Sequence, residues 1–157
     1  MDTARPALAE VCTAEELDGA FSFLSAEERA EIRPLLEAKL WQAGEVVFRE
    51  GENGTFMAFL VRGKLAVKKE TVFPGKFVLV AVLEPGSLVG ELSLAGHNIR
   101  SATVFATESS QLLLLTRDRM DALLARNPAL GVRLFQRIIF VLGHRLRSAS
   151  ERLARLL

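Results

Sequence analysis

The middle of the chain, residues 40–116, consists of short β-type runs separated by glycine turns. Closely spaced strands of this kind are typical of a β-sandwich or jelly roll. Pro74-Gly75 and Glu84-Pro85-Gly86 are turn sequences, and they bracket one such run, residues 77–83. The other runs with this pattern are residues 44–48, 55–61, 62–67, 102–106 and 111–115. We therefore predict roughly eight strands between residues 40 and 116.

Short helices are predicted on both sides of this β region. Thr13 and Ser25 are each followed by acidic residues within one turn, which is the pattern of a helix N-cap. The second of these helices is predicted to run to about Lys39, and a later one spans residues 118–125 before Asn127-Pro128. The predicted organisation is an N-terminal helical segment (1–39), a β core (40–116) and a C-terminal helical segment (117–157).

From Ala129 onward the chain contains no proline and predicts one long helix. Its apolar positions alternate between steps of three and four, which is the seam of a coiled coil. They are Val132, Phe135, Ile139, Leu142, Leu146, Ala149, Leu153 and Leu156. A helix folded back on its own domain would leave the leucines after residue 145 without a surface to cover. We therefore predict a parallel homodimer through residues 132–156, with the folded-back helix as the alternative.

Composition places the chain among single compact domains, since 157 residues are half hydrophobic and a quarter charged. Cys12, the only cysteine, excludes an intrachain disulfide and is expected in an N-terminal arm. The sequence has no apolar run long enough for a membrane span and no export signal, so we expect a cytoplasmic protein.

The net charge of +1 is unevenly distributed. Residues 1–37 carry nine acidic and three basic side chains, whereas residues 129–157 carry six arginines and one glutamate. The basic helix is interpreted as a solvated face partly neutralised by the acidic N-terminal helices. Binding to nucleic acid or to a membrane surface is the alternative.

The residues expected of an enzyme or a metal site are missing from the sequence. His97 and His144 are the only histidines, and neither belongs to a cluster of metal ligands, although His97 lies where it could touch a ligand. We find no pairing of a nucleophile with a base and no P-loop or dinucleotide fingerprint. The sequence therefore predicts a binding protein without catalytic activity or a cofactor.

Residues 86–103 predict an anion site. Gly90 interrupts an apolar run, and the chain is expected to break there into a helical turn whose backbone amides face outward. Arg100 follows Glu91 by nine residues and can face that turn from the next strand. A guanidinium beside amides suits a phosphate. Since Glu91 would repel that phosphate, we expect its carboxylate to reach a sugar hydroxyl.

The sequence Gly90-Glu91-Leu92-Ser93-Leu94, followed by Arg100-Ser101-Ala102, resembles the phosphate-binding cassette of the cyclic-nucleotide-binding domain family. Val89 and Ile99 depart from the residues usual in that family. The turn glycines of residues 40–116 also match, so the resemblance covers about four-fifths of the chain. It implies a mainly β protein with flanking helices, in which a jelly roll (double-stranded β-helix) is followed by a long dimerisation helix.

The resemblance also implies a role for each cassette residue. Glu91 would accept a hydrogen bond from the ribose 2′-hydroxyl, and Arg100 would pair with the cyclic phosphate. The hydroxyl of Ser101 and the turn amides would assist Arg100. The full set implied for the phosphate and ribose is Gly90, Glu91, Leu92, Ser93, Arg100, Ser101 and Ala102.

The base would rest on Val67 and Val80 and be capped by the long helix near residues 148–150. Ala149 stands where some family members have a hydroxyl, and the resemblance aligns Ser150 with a second hydroxyl contact. Ser148 or Ser150, from this chain or a partner chain, would supply the missing hydroxyl. Arg145 or Arg147 could instead stack on the base.

These expectations together describe a regulatory module for signal transduction that binds cyclic AMP in preference to cyclic GMP. The ligand would rearrange the long helix and so act on a protein effector. The chain ends at Leu157, where the family's transcription regulators continue into a helix-turn-helix domain, so DNA binding of that kind is not expected. The alternative is a degenerate domain that serves dimerisation or protein interaction without binding a nucleotide.

Overall fold

The computed structural model describes residues 12–96 and 98–157. The helices are α1 (Ala14–Ala20), α2 (Ala26–Ile32), α3 (Arg117–Arg126) and α4 (Pro128–Leu156), with 3-10 turns at Arg33–Leu35 and Glu91–Ser93. The strands are β1 (Glu37–Trp41), β2 (Val46–Phe48), β3 (Phe56–Arg62), β4 (Leu65–Glu70), β5 (Phe77–Leu83), β6 (Leu88–Val89), β7 (Thr103–Ala106) and β8 (Ser110–Thr116).

The eight strands form two antiparallel sheets of four strands each, in the orders β1-β8-β3-β6 and β2-β7-β4-β5. Apolar side chains from both sheets fill the space between them, among them Trp41, Leu60, Leu65 and Leu112. Burial of these side chains holds the two layers together. The predicted mainly β fold with flanking helices is confirmed.

The prediction that α2 extends to about Lys39 is wrong. The helix ends at Ile32, and Pro34 lies in the 3-10 turn that follows. Residues 37–41 pair with β8, from Glu37 opposite Leu114 to Trp41 opposite Ser110. Strand pairing and the burial of Trp41 outweigh the local helix signal here. A local pattern does not reveal either one, because both need contacts with residues far away in the sequence. The β region therefore begins three residues earlier than predicted.

Both predicted N-caps are present as capping boxes. The hydroxyl of Thr13 accepts a hydrogen bond from the Glu16 amide, and the Glu16 carboxylate accepts one from the Thr13 amide. Ser25 and Glu28 repeat this arrangement. The caps satisfy amides that a helix N-terminus otherwise leaves unpaired, which explains why α1 and α2 begin where they do.

A second apolar core lies between one sheet and the helices. It joins Phe21, which follows α1, and Phe59 of β3 to Leu134 of α4. Cys12, which was predicted in an N-terminal arm, is buried in this core. Burial, followed by the charge of Glu16, raises the pKa of the Cys12 thiol to about 11. The thiol is therefore protonated at neutral pH.

The long helix α4 packs on its own domain through its first four turns, up to Val141 and Leu142, and touches it again at Arg145. Its buried residues are Leu130, Gly131, Leu134 and Ile138. Of the predicted seam, Phe135 and Leu142 are partly buried against this core, whereas Ile139 and Leu146 are 68% and 70% exposed. Within the described part of the chain, no helix is long and apolar enough to cross a membrane.

Candidate ligand-binding site

The candidate site is built around the end of β6, where the backbone turns at Gly90. This residue has φ = 75°, and the 3-10 turn Glu91–Ser93 follows it. A Cβ at this position would lie 2.5 Å from Nη1 of Arg100 and 2.9 Å from the carbonyl oxygen of Phe56. Only glycine fits, because it tolerates the left-handed conformation and leaves room for the guanidinium.

Arg100 is held in place by its backbone. Its amide donates to the carbonyl of Glu52 (2.8 Å), and its carbonyl accepts from the amide of Gly51 (2.9 Å). Thr103 begins β7 three residues later. The loop around residues 51–54 and the start of β7 therefore aim the side chain at the turn after Gly90.

The guanidinium of Arg100 is buried, with 4% of the residue exposed. Nη1 donates to the Ser93 hydroxyl (2.7 Å) and to the Gly90 carbonyl (3.3 Å), and Nη2 donates to the Phe56 carbonyl (2.8 Å). The rings of Phe48 and Phe56 lie against its planar group, at 3.9 Å and 4.7 Å from Cζ. These contacts fix its orientation.

The positive charge of Arg100 lacks a direct counter-ion within residues 12–96 and 98–157, since no carboxylate there forms an ion pair with it. Its Nε is buried and has no hydrogen-bond partner in that same part of the chain. Burial lowers the pKa of Arg100, and the more distant charges of Glu52 and Glu91 oppose this effect. A buried cation with an unpaired donor would be stabilised by an anion.

A cavity opens beside this guanidinium and contains about 660 Å³ of space, including its mouth. Nine of the ten predicted ligand-binding residues line it: Gly90, Glu91, Leu92, Ser93, Arg100, Ser101, Ala102, Val67 and Val80. The rest of the wall is apolar apart from Arg145 of α4, and comes from β2, β5, β6, β7 and Ile99. A mostly apolar cavity with a few convergent polar groups is the usual form of a small-molecule site.

Ser150, the tenth predicted residue, does not line the cavity. It is exposed on α4, as is Ala149. Helix α4 instead reaches the cavity with Arg145, one of the two arginines that the sequence offered as an alternative. Arg145 lies seven residues after the buried Ile138, on the same helix face. This period of two turns was the signal for choosing Arg145 over Arg147.

Arg145 links α4 to the cassette. It donates a hydrogen bond to the carbonyl of Leu88, and its Nη1 lies 3.9 Å from Oε1 of Glu91. The side chain of Glu91 is 12% exposed and that of Arg145 is 32% exposed. Burial lowers the pKa of Arg145, and Glu91 partly opposes that change. The carboxylate that was predicted to bind a sugar hydroxyl therefore faces a helix cation.

Two further expectations concern histidines and metals. His97 lies outside the described residues, so its expected contact with a ligand stays a prediction. Among the residues that the structure does describe, no group of His, Cys, Asp and Glu side chains could hold a metal ion.

The tight fit at Gly90 gives a test of this geometry. Gly90→Ala is expected to lower the free energy of unfolding by about 2–4 kcal/mol, because it combines backbone strain with a clash against Arg100. The control is Gly86→Ala, since Gly86 has φ = 94° but no atom lies within 4 Å of the position that a Cβ would take there. This control should cost only about 1–2 kcal/mol in urea denaturation. Equal losses for the two variants would contradict the close approach of Arg100.

Several known proteins resemble this chain in sequence. The model of the family described as "Cyclic nucleotide-binding domain" matches residues 38–127. A putative potassium channel protein of Rhodopseudomonas palustris is 34% identical over 74% of this chain and 27% of its own length. The cyclic AMP receptor protein of Thermus thermophilus is 31% identical over 83% of this chain and 58% of its own length. The chain thus spans about a quarter to three-fifths of these two relatives.

Solved structures agree with the sequence comparisons. A cyclic nucleotide-binding domain from Methylobacillus flagellatus superposes with a TM-score of 0.84 at 21% identity, covering 91% of this chain and 85% of that one, which establishes the fold. The catabolite activator protein of Thermus thermophilus superposes with a TM-score of 0.72 at 30% identity, covering 88% of this chain and 62% of that one. With the matched family model and the 31% identity to a relative, they lead to one conclusion: the chain belongs to the cyclic nucleotide-binding domain family.

Proposed function

We propose that this chain is a sensor module that binds a cyclic mononucleotide, with cyclic AMP preferred, and transmits binding through α4. The observation that carries the proposal is the buried guanidinium of Arg100, which has an unpaired Nε at the wall of the cavity. A cyclic phosphate carries one negative charge and would supply the missing counter-ion. Ser101 and the turn amides would add hydrogen bonds to the phosphate oxygens.

The ribose and the base would occupy the remainder of the cavity. Glu91 would accept a hydrogen bond from the 2′-hydroxyl, and the purine would rest on Val67 and Val80. Arg145 would stack on the base or contact the ribose from α4. The family membership and the cavity geometry support these roles.

The proposed coupling to α4 runs through two contacts of the cassette. Arg145 on the helix meets Glu91 and the carbonyl of Leu88. Leu94, which follows the 3-10 turn, packs against the same core as Leu134 and Ile138 of α4. A ligand that engages Glu91 and moves the turn would change both contacts, and so would favour a different helix position. A protein effector would read that position.

The primary test is a calorimetric titration with cyclic AMP, cyclic GMP and cyclic di-GMP. We expect binding of cyclic AMP, weaker binding of cyclic GMP, and a loss of at least about 100-fold in affinity in Arg100→Leu and Arg100→Lys, because a bidentate charged contact is removed or distorted. Arg100→Leu also removes the guanidinium hydrogen bonds to the Phe56 and Gly90 carbonyls, so folding is checked by circular dichroism. Arg100→Lys keeps the charge and separates the two effects.

The outcome that contradicts the proposal is unchanged affinity in a folded Arg100 variant. Absence of binding by the unsubstituted chain, with no thermal stabilisation by any of the three nucleotides, would instead support the degenerate interaction module.

A second prediction concerns the part of α4 that meets the ligand. Arg145→Ala is expected to change cyclic AMP affinity by about fivefold or more, since its side chain lines the cavity and faces Glu91. Arg147→Ala is the matched control, because Arg147 is exposed two residues away and does not line the cavity. Calorimetry that showed equal effects for the two variants would contradict the role of Arg145.

The seam of α4 supports the proposal of a homodimer through residues 132–156. Leu146→Asp is expected to shift the chain from dimer to monomer in sedimentation velocity at micromolar concentration, because it places a charge in the apolar seam. Ala154→Asp, an exposed position of the same helix outside the seam, should leave the dimer intact. A monomeric unsubstituted chain would contradict the dimer seam. So would a dimer that Leu146→Asp leaves intact.

A further inference from the structure

Strand β5 is the outer strand of the sheet β2-β7-β4-β5 and pairs with β4 along one edge only. Its other edge has no strand partner within the described residues. From Phe77 to Leu83 it contains neither a charged residue nor a proline. Charges and prolines are the usual means by which edge strands avoid pairing with another chain, so β5 lacks that protection.

The apolar side chains of β5 are exposed on both faces of the sheet. Phe77, Val78 and Leu79 are 49%, 52% and 59% exposed, and successive residues of a strand point to opposite faces. Val82 is also half exposed. A helix packed on the sheet would cover only one face, whereas an added strand would contact both. The surface therefore fits a β-strand partner.

Charges at the two ends of β5 indicate which strand that partner is. Lys76 precedes the strand and Glu84 follows it, each four residues from Val80. Antiparallel pairing of two copies about an axis at Val80 would place Lys76 of each copy opposite Glu84 of the other. The same register places Phe77 opposite Leu83 and Val78 opposite Val82, which are apolar pairs.

The two end charges, Lys76 and Glu84, have no ion-pair partner among residues 12–96 and 98–157. Eight residue steps along a strand separate them by roughly 26 Å, so they cannot meet each other within one chain. A second copy supplies the opposite charge at both ends at once.

The irregularity of β5 also favours a second copy. Its register with β4 shifts so that Ala81 pairs with Val67 and Leu79 pairs with Lys68, which leaves Val80 as an extra, bulged residue. A regular strand from another protein would lose register by one residue across this bulge. In the two-fold pairing the bulge of each copy lies on the axis. The two segments of β5 before and after Val80 then pair over equal numbers of residues and stay in register.

We propose that β5 is a self-pairing edge, through which two copies of this chain join their sheets antiparallel about Val80. This surface is separate from the α4 seam, although Val80 also lines the cavity, so the association is measured without nucleotide. One strand pair is a small interface, so the association is expected to be weak and concentration-dependent. Where the α4 dimer also forms, two different two-fold contacts in one chain would build tetramers or longer assemblies.

The test measures self-association by sedimentation at low salt in the full chain carrying Leu146→Asp, which removes any contribution of the α4 seam. Lys76→Glu and Glu84→Lys are each expected to weaken association about tenfold, because each turns two attractive pairs into repulsive ones. The double variant Lys76→Glu with Glu84→Lys restores opposite charges and should return association to within about threefold of the starting value.

The proposal is overturned if the Leu146→Asp chain stays monomeric at the highest concentration reached. It is also overturned if the two single charge variants associate as well as the parent, or if the double variant is no stronger than the weaker single one. Each of these results would mean that another partner covers β5, or that none does.

Cross-linking provides a second, independent measurement. A Val80→Cys chain treated with a short bismaleimide is expected to give a covalent dimer, since the introduced thiols would meet at the axis. Val72→Cys is the control, because Val72 is 90% exposed in the β4–β5 turn and far from the axis. The native Cys12 is buried and does not compete. Equal cross-linking of the two variants would overturn the proposed register.

Discussion

The buried guanidinium of Arg100 is the interaction on which the candidate site depends. Its hydrogen bonds join the carbonyl of Phe56 on β3 to Gly90 and Ser93 of the turn after β6. The cation thereby ties the turn to β3, next to the β3–β6 pairing that ends at Val89. The cost is a buried charge without an ion-pair partner in the described residues. A protein that keeps this arrangement holds a position ready for an anion.

The site extends from this cation to α4 through Glu91. Arg145 faces Glu91 at 3.9 Å, and Leu94 shares a core with α4, so the cassette and the helix contact each other by charge and by packing. The fully buried residues of α4 lie in its first turns, and its last turns, with Leu153 and Leu156, are exposed. The exposed seam of α4 and the exposed strand β5 are two distinct apolar surfaces of one small domain. Both are suited to contacts between chains.

Much of the fold could be predicted because its signals are local. Glycine turns placed the strands, and Thr13 and Ser25 placed the starts of α1 and α2. The motif around Glu91 and Arg100 identified the cassette by its resemblance to the family, because its residues lie close together in the sequence. The extension of α2 to Lys39 was wrong because residues 37–41 form a strand only by pairing with β8, about 70 residues later. The burial of Cys12 was not predicted for the same reason, since it depends on distant core residues.

By itself, then, the sequence determined the strand-rich core, the helix caps, the cassette and the 3-4 repeat of the long helix, all of which arise from interactions among near neighbours. Only the tertiary structure decided that Arg145 rather than Ser150 reaches the cavity, because that depends on which face of α4 packs on the domain. It also decided that Arg100 is buried without an ion pair in the described residues, and that β5 is an edge strand. These properties follow from how separate segments pack, which no local pattern specifies.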